Sequence, residues 1–281
     1  MTKIRIACPS CRKKGNFEVL ESNFKNNLRG ILTINVSENT ICPHSFLVYI
    51  DKNLQIRDYF IADFKLELPE VSPIQIKQDL ELLEEELIDV NIIKTNLHAY
   101  LLTFVLRAIF FKEKIVFVND YEYLNKQIFN FFKYIAQNSF ELNISFISKK
   151  DYQELEKKDE KAFYFDLEAL MNEFQKLKSA KQLKLESRIV QKFFVEEGFK
   201  PSLIILKNDL KKVYDISVMI RDYINIHKEK DKIYSKNILE HLESVHNIKI
   251  SIQYLSFLID IIKKYFNVSV QIYLPNVSGI W

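Results

Sequence analysis

Cysteine placement limits this chain more than any other feature. Cys8-Pro-Ser-Cys11 stands near the start, and Cys42-Pro-His44 follows thirty residues later. All three cysteines and one of the five histidines lie in this stretch. Thiolates three apart at a tight turn can point at one ion, and Pro9 shapes that turn. Cys42 and His44 complete a tetrahedral Cys3His set. Four ligands leave no open coordination position, so the pattern predicts a structural zinc ion rather than a catalytic one. A ligand from elsewhere, or water, is the alternative to His44. Three buried thiols without a metal are the alternative to the whole site.

The residues around the cysteines read as a small β module over 1–68. Phe17–Leu20 and Ile31–Val36 are strand-like, and Phe46–Ile50 and Leu54–Arg57 flank Asp51-Lys52-Asn53, a hairpin turn. Phe64–Leu68 extends the alternation. So small a unit has a modest core and gains from a staple. Cys-Pro-x-Cys followed by strands resembles a zinc ribbon. The chain departs from that pattern in its second half, where Cys42-Pro-His44 is one residue shorter than Cys-x-x-Cys. The run from Ile41 to Asn53, with Ile56-Arg-Asp-Tyr59 after it, resembles an N-terminal module of uncharacterised archaeal proteins. Its pattern is C-x-x-C, then C-P-H-x-F, then a D-K-N hairpin, matched over roughly the first 65 residues. The resemblance implies a zinc-ribbon-like module and no particular activity.

Composition narrows the function classes. The four glycines, Gly15, Gly30, Gly198 and Gly279, are scattered, so neither a Walker A loop nor a G-x-G-x-x-G can be written. Both motifs need glycine where backbone approaches phosphate. The net charge of +3 permits a nucleic-acid or acidic-membrane partner without arguing for one. The longest apolar stretch, Leu101–Phe111, contains Arg107 and falls short of a membrane span. The start lacks the apolar region of a signal peptide. With an odd cysteine count and a C-x-x-C, these features predict a reducing, cytoplasmic setting.

Pro69–Pro73 reads as a linker. Beyond it, 74–180 reads as an α/β domain. An acidic amphipathic helix spans Gln75 to about Val90, and an apolar helix carrying His98 runs from about Ile92 to Phe111. Lys114–Val118, a helix over Tyr121–Asn138, Leu142–Ile147, a short helix over Lys149–Lys158 and Ala162–Phe165 alternate as a parallel sheet requires. Ligands of such sheets bind beyond the carboxyl ends of the strands, where Asn119, Asp120, Ser148, Lys149, Lys150 and Asp166 fall. Asp120 and Asp166 are candidates for metal or acid–base work. Both are also residue types that cap helices and make turns. No nucleophile, histidine or glycine loop accompanies them, so no catalytic site is assigned.

Residues 185–281 read as a helical domain. A charged helical stretch over Leu167–Phe199 leads in, and Leu203–His227 is largely helical. Helices follow, one capped by Ser235 and running to about Val245 and one, capped by Ser251, from Ile252 to Phe266. Val268–Leu274 and Val277–Trp281 then form a candidate hairpin about Pro275-Asn276. Helix, helix, helix, hairpin resembles a winged helix. Its recognition helix would be Ser251–Phe266, which has no arginine to read guanine. His241 and His246 read as boundary residues.

The predicted fold is therefore α+β and multidomain: a zinc-stapled β module, a small parallel α/β unit and a winged-helix-like C-terminal part. The predicted function is a non-enzymatic adaptor or regulator that binds protein partners. Small GTPases and membrane-remodelling machinery are the partner classes considered, because the helix into the Lys114 strand resembles DENN-type regulators. The alternative is a nucleic-acid-binding, transcription-associated protein. Arg5, Arg12, Lys13, Lys14, Lys25 and Arg29 make the start basic.

Overall fold

Strands form where apolar and polar residues alternate, or where a short apolar run is covered on both faces, and the N-terminal part uses both patterns. The computed structural model describes residues 2–9, 11–19, 31–36, 39–44, 46–60, 88–155, 159, 161–167, 170–171, 183–196, 199–227, 233–269 and 271–273. β1 (Thr2–Ala7) and β2 (Lys14–Val19) pair as an antiparallel hairpin. β3 (Ile31–Val36), β4 (Phe46–Asp51) and β5 (Ile56–Phe60) form a second antiparallel sheet with β4 at its centre. The predicted Asp51 turn is present. Asp51 Oδ1 accepts from the Asn53 and Gln55 amides at 2.9 Å each, and Oδ2 accepts from Arg57 Nε at 2.8 Å. The Gln55 amide above all, with Arg57 and Asn53, holds the Asp51 carboxyl below the usual carboxylate range. Leu54 takes the left-handed conformation that closes the turn.

Every residue of β4 is buried. Phe46, Val48 and Ile50 join Ile4, Ile6, Ile34 and Val36 in a small core shared with the first hairpin. Leu47 and Tyr49 point the other way, into the large core of the rest of the molecule. Side chains alternate across a strand, so one strand serves two cores.

The large core is organised by α1 (Val90–Asn96) and α2 (Ala99–Phe110). The apolar sequence predicts one continuous helix here. The structure breaks it at Leu97 and His98, which are both extended. The cause is tertiary: the Ala99 amide donates to the Tyr49 hydroxyl at 3.0 Å, and the His98 ring stacks on Tyr49 at 4.7 Å. His98 thus holds the N-cap position of α2. All of α2 except Tyr100 is buried, including Arg107. Arg107 ion-pairs with Glu186 and lies over the Phe111 ring at 4.8 Å. Glu186 belongs to α5 (Lys184–Val195). Burial pushes its carboxyl up, and Arg107 opposes that push.

β6 (Ile115–Val118), α3 (Glu122–Ile135), β7 (Ile144–Ile147), α4 (Lys149–Glu154) and β8 (Phe163–Phe165) follow in the predicted alternation. The three strands are parallel in the order β7-β6-β8, with Phe117 stacked on Phe132 and Phe146 and tilted against Phe165. The long α6 (Phe199–Ile226) packs on α1, α3 and α5. β9 (Ile233–Tyr234), α7 (Ser235–His246), α8 (Ile252–Lys264) and β10 (Ile272–Tyr273) complete the described chain. Asn247 and Asn267 take left-handed conformations that end α7 and α8, and Ser251 caps α8 as predicted. Tyr234, not Ser235, occupies the cap of α7. β10 pairs in parallel with β9. The expected strand over Phe64–Leu68, the linker over Pro69–Pro73, most of the helix from Gln75 and the return strand over Val277–Trp281 lie outside the described residues. The whole is a mixed α and β fold with small sheets, in line with the α+β expectation.

Two substitutions probe this packing. Tyr49→Phe leaves the buried Ala99 amide without its acceptor and is expected to cost about 1–3 kcal/mol in urea unfolding. Arg107→Met strands the Glu186 charge and is expected to cost about 3–5 kcal/mol, most of it regained when Glu186→Leu is added.

Candidate metal centre

Two hairpin turns bring the predicted ligands together. Cys8 follows β1 directly, and Cys11 lies within the β1–β2 turn. The Cys8 amide donates to the Lys13 carbonyl at 2.8 Å, and the Arg12 amide donates to the Cys8 carbonyl at 2.8 Å. Arg12 is left-handed, which folds the turn back on itself. Cys42 and His44 lie in the β3–β4 connection. There the Asn39 amide donates to the Cys42 carbonyl at 2.8 Å, and Asn39 is again left-handed.

The donor atoms of Cys8, Cys11, Cys42 and His44 all lie within 4.8 Å of one another and can hold a metal ion. Cys42 Sγ is 3.5 Å from His44 Nδ1. A tetrahedral zinc, with Zn–S about 2.3 Å and Zn–N about 2.0–2.1 Å, places sulfur and nitrogen about 3.5 Å apart. Three sulfurs and one imidazole nitrogen are also a donor set that zinc favours. Cys8 and Cys42 are buried, His44 is half-buried and Cys11 is exposed. Burial, with the Cys8 and Cys11 sulfurs beside it, pushes the Cys42 thiol up to about 11. A cation among the sulfurs reverses that tendency, because coordination selects the thiolate.

Gly15 was not singled out in the sequence. It sits on β2 under the second turn, and a Cβ there would lie 2.6 Å from Ile41 Cγ1. Its bareness lets Ile41 pack down and seats Cys42 beside the first turn.

Several residues at the strand ends have partners within the fold. The Asn119 side chain donates to Asn125 Oδ1 at 2.7 Å, and Asn125 donates back to the Asn119 carbonyl at 3.1 Å. Asp120 Oδ1 accepts from the Lys149 amide at 2.9 Å. Ser148 and Asp151 form a capping box on α4. Lys150 pairs loosely with Glu154, and Asp166 is half-buried. No second close group of three His, Cys, Asp or Glu side chains occurs among the described residues. His241 and His246 meet edge to face at 5.5 Å, and His227 and His241 both pack on Tyr223. Burial, then His246 and His227, lowers the pKa of His241.

Elemental analysis of native protein is expected to give about one zinc per chain, lost in Cys11→Ser and in Cys42→Ser. Chelation is expected to unfold the first module while the α2 core persists. Gly15→Val keeps every donor but is expected to weaken metal retention against a competing chelator. No family model matches the chain, and no curated protein and no solved structure matches it, so the centre is read from its donor set and geometry.

Proposed function

We propose that this chain is a non-enzymatic adaptor whose β module is stapled by a structural zinc ion. The carrying observation is the convergence of four protein donors, which leaves no open position for a substrate. The placement of the four donors at the tips of two antiparallel hairpins supports a zinc-ribbon-like module. Asp120, the candidate acid or base, is engaged with the Lys149 amide, which favours a structural role for it.

In this reading the C-terminal part is a winged-helix-like structural unit. The order α6, β9, α7, α8, β10 supports it, with the short strand before the second helix pairing with the one after the third. Gln253 is the sole exposed residue in the first half of α8, so this helix offers little with which to read bases.

The protein partner binds beside β7, an edge strand of the parallel sheet among the described residues. Tyr123, Lys126 and Phe129 of α3 line an open groove with Ile144 and Phe146 of β7. Tyr121, Tyr123 and Phe129 are 60%, 62% and 41% exposed, which is unusual for large aromatic side chains. An extended partner segment can add to the edge of β7 that faces away from β6 and lay apolar side chains against these rings.

The test is affinity capture from nuclease-treated extract. Tyr123→Ala with Phe129→Ala is expected to release a bound partner, weakening it on the order of 30-fold with zinc content unchanged. Asp120→Asn with Asp166→Asn is expected to leave capture intact. Equal capture by wild type and the aromatic double variant refutes this surface. A catalytic activity abolished by the aspartate double variant refutes the adaptor reading.

A further inference from the structure

The first hairpin has a face that the metal centre does not use. Residues directly opposite in an antiparallel pair share a side of the sheet. The register sets Lys3 against Glu18, Arg5 against Asn16 and Ala7 against Lys14. Ile4, Ile6 and Phe17 occupy the inner side, over the small core. The outer side therefore carries Lys3, Arg5, Lys14, Asn16 and Glu18, all exposed. Arg12 and Lys13 continue it onto the turn and are exposed too. Lys3 pairs with Glu18 at 3.4 Å, an exposed contact of little strength. Arg5, Arg12, Lys13 and Lys14 have no ion pair among the described residues.

The charge is concentrated here. Residues 1–19 hold five cations and one anion, whereas the whole chain has a net charge of +3. The rest of the chain is thus close to neutral. A zinc ion with three thiolates leaves one negative charge at the turn, which a single cation offsets. Most of the positive charge on the hairpin has no counterpart among the described residues.

We propose that this outer face binds the phosphate backbone of a nucleic acid, without reading bases. An extended ribbon sets successive outward side chains about 7 Å apart, so its cations form a row that a linear polyanion can follow. The face has no aromatic or large aliphatic anchor, which a protein interface or an inserted membrane contact needs. Arg5 and Arg12 can each grip a phosphate through two N–H groups. Asn16 adds a neutral donor between the charges.

Random-sequence duplex DNA and single-stranded RNA, each fluorescently labelled, are titrated with the zinc-loaded 281-residue chain at several salt concentrations. Four phosphate contacts predict a slope of log K against log salt of about −3 to −4 on the duplex, and a shallower one on the single strand. Arg5→Gln with Lys14→Gln touches neither ligands nor core. It is expected to reduce the duplex slope by about two and the affinity on the order of 50-fold at 0.1 M salt, with zinc content and melting unchanged. Arg12→Gln with Lys13→Gln is expected to act alike. Equal binding by wild type and both double variants overturns the proposal, as does a slope near zero. Poly-glutamate or phosphatidylserine vesicles bound as tightly as the nucleic acids also overturn it, because the face would then answer to any anion.

Discussion

β4 holds the molecule together because both of its faces are interior. Phe46, Val48 and Ile50 close the small core beneath the metal centre, while Leu47 and Tyr49 close the edge of the large one. The strand alternation that elsewhere separates core from water here separates core from core. A one-residue slip would exchange the two sets and put Tyr49, whose hydroxyl receives the Ala99 amide, on the wrong side. The start of α2, the break before it and the position of the β module all follow from this strand.

The Cys/His cluster and β4 meet the same small core from different directions. That core is thin, and Cys8 and Cys42 are themselves part of it. These two cysteines therefore act as packed apolar groups, and an ion held by the cluster would close two turns that hydrophobic burial alone would hold weakly. The large core has a different economy. There Arg107 and Glu186 form an ion pair inside an otherwise apolar interior, joining α2 to α5. Such a pair adds little net stability but fixes which faces of two helices meet.

Much of this was legible where the signal is local. The Cys8, Cys11, Cys42 and His44 spacing is a statement about coordination chemistry, and the four donors do converge. The alternation of β6, α3, β7, α4 and β8 announced a parallel sheet, and Asp51-Lys52-Asn53 announced its turn. What escaped depends on residues far apart in the chain. Nothing near Leu97 breaks a helix; the break is imposed by Tyr49, about fifty residues earlier. Arg107 within an apolar helix was visible, but its partner Glu186 was not. The role of Gly15 depends on Ile41 crossing above it. β9 and β10 are two residues each, too short for any pattern to declare their pairing. Thr2–Ala7 did alternate, but its charges made it read as a basic start rather than a strand.

The uneven charge has a dynamic consequence. A body near neutrality with a cationic hairpin carries a modest net charge of +3 and, beside it, an electric dipole. Near a polyanionic surface such a distribution feels a torque as well as an attraction, so the hairpin would turn forward before contact. Dissolved ions shorten the distance over which that turning acts, to about 8 Å at physiological ionic strength. Salt then governs how often an encounter begins correctly aligned, as well as how long it lasts.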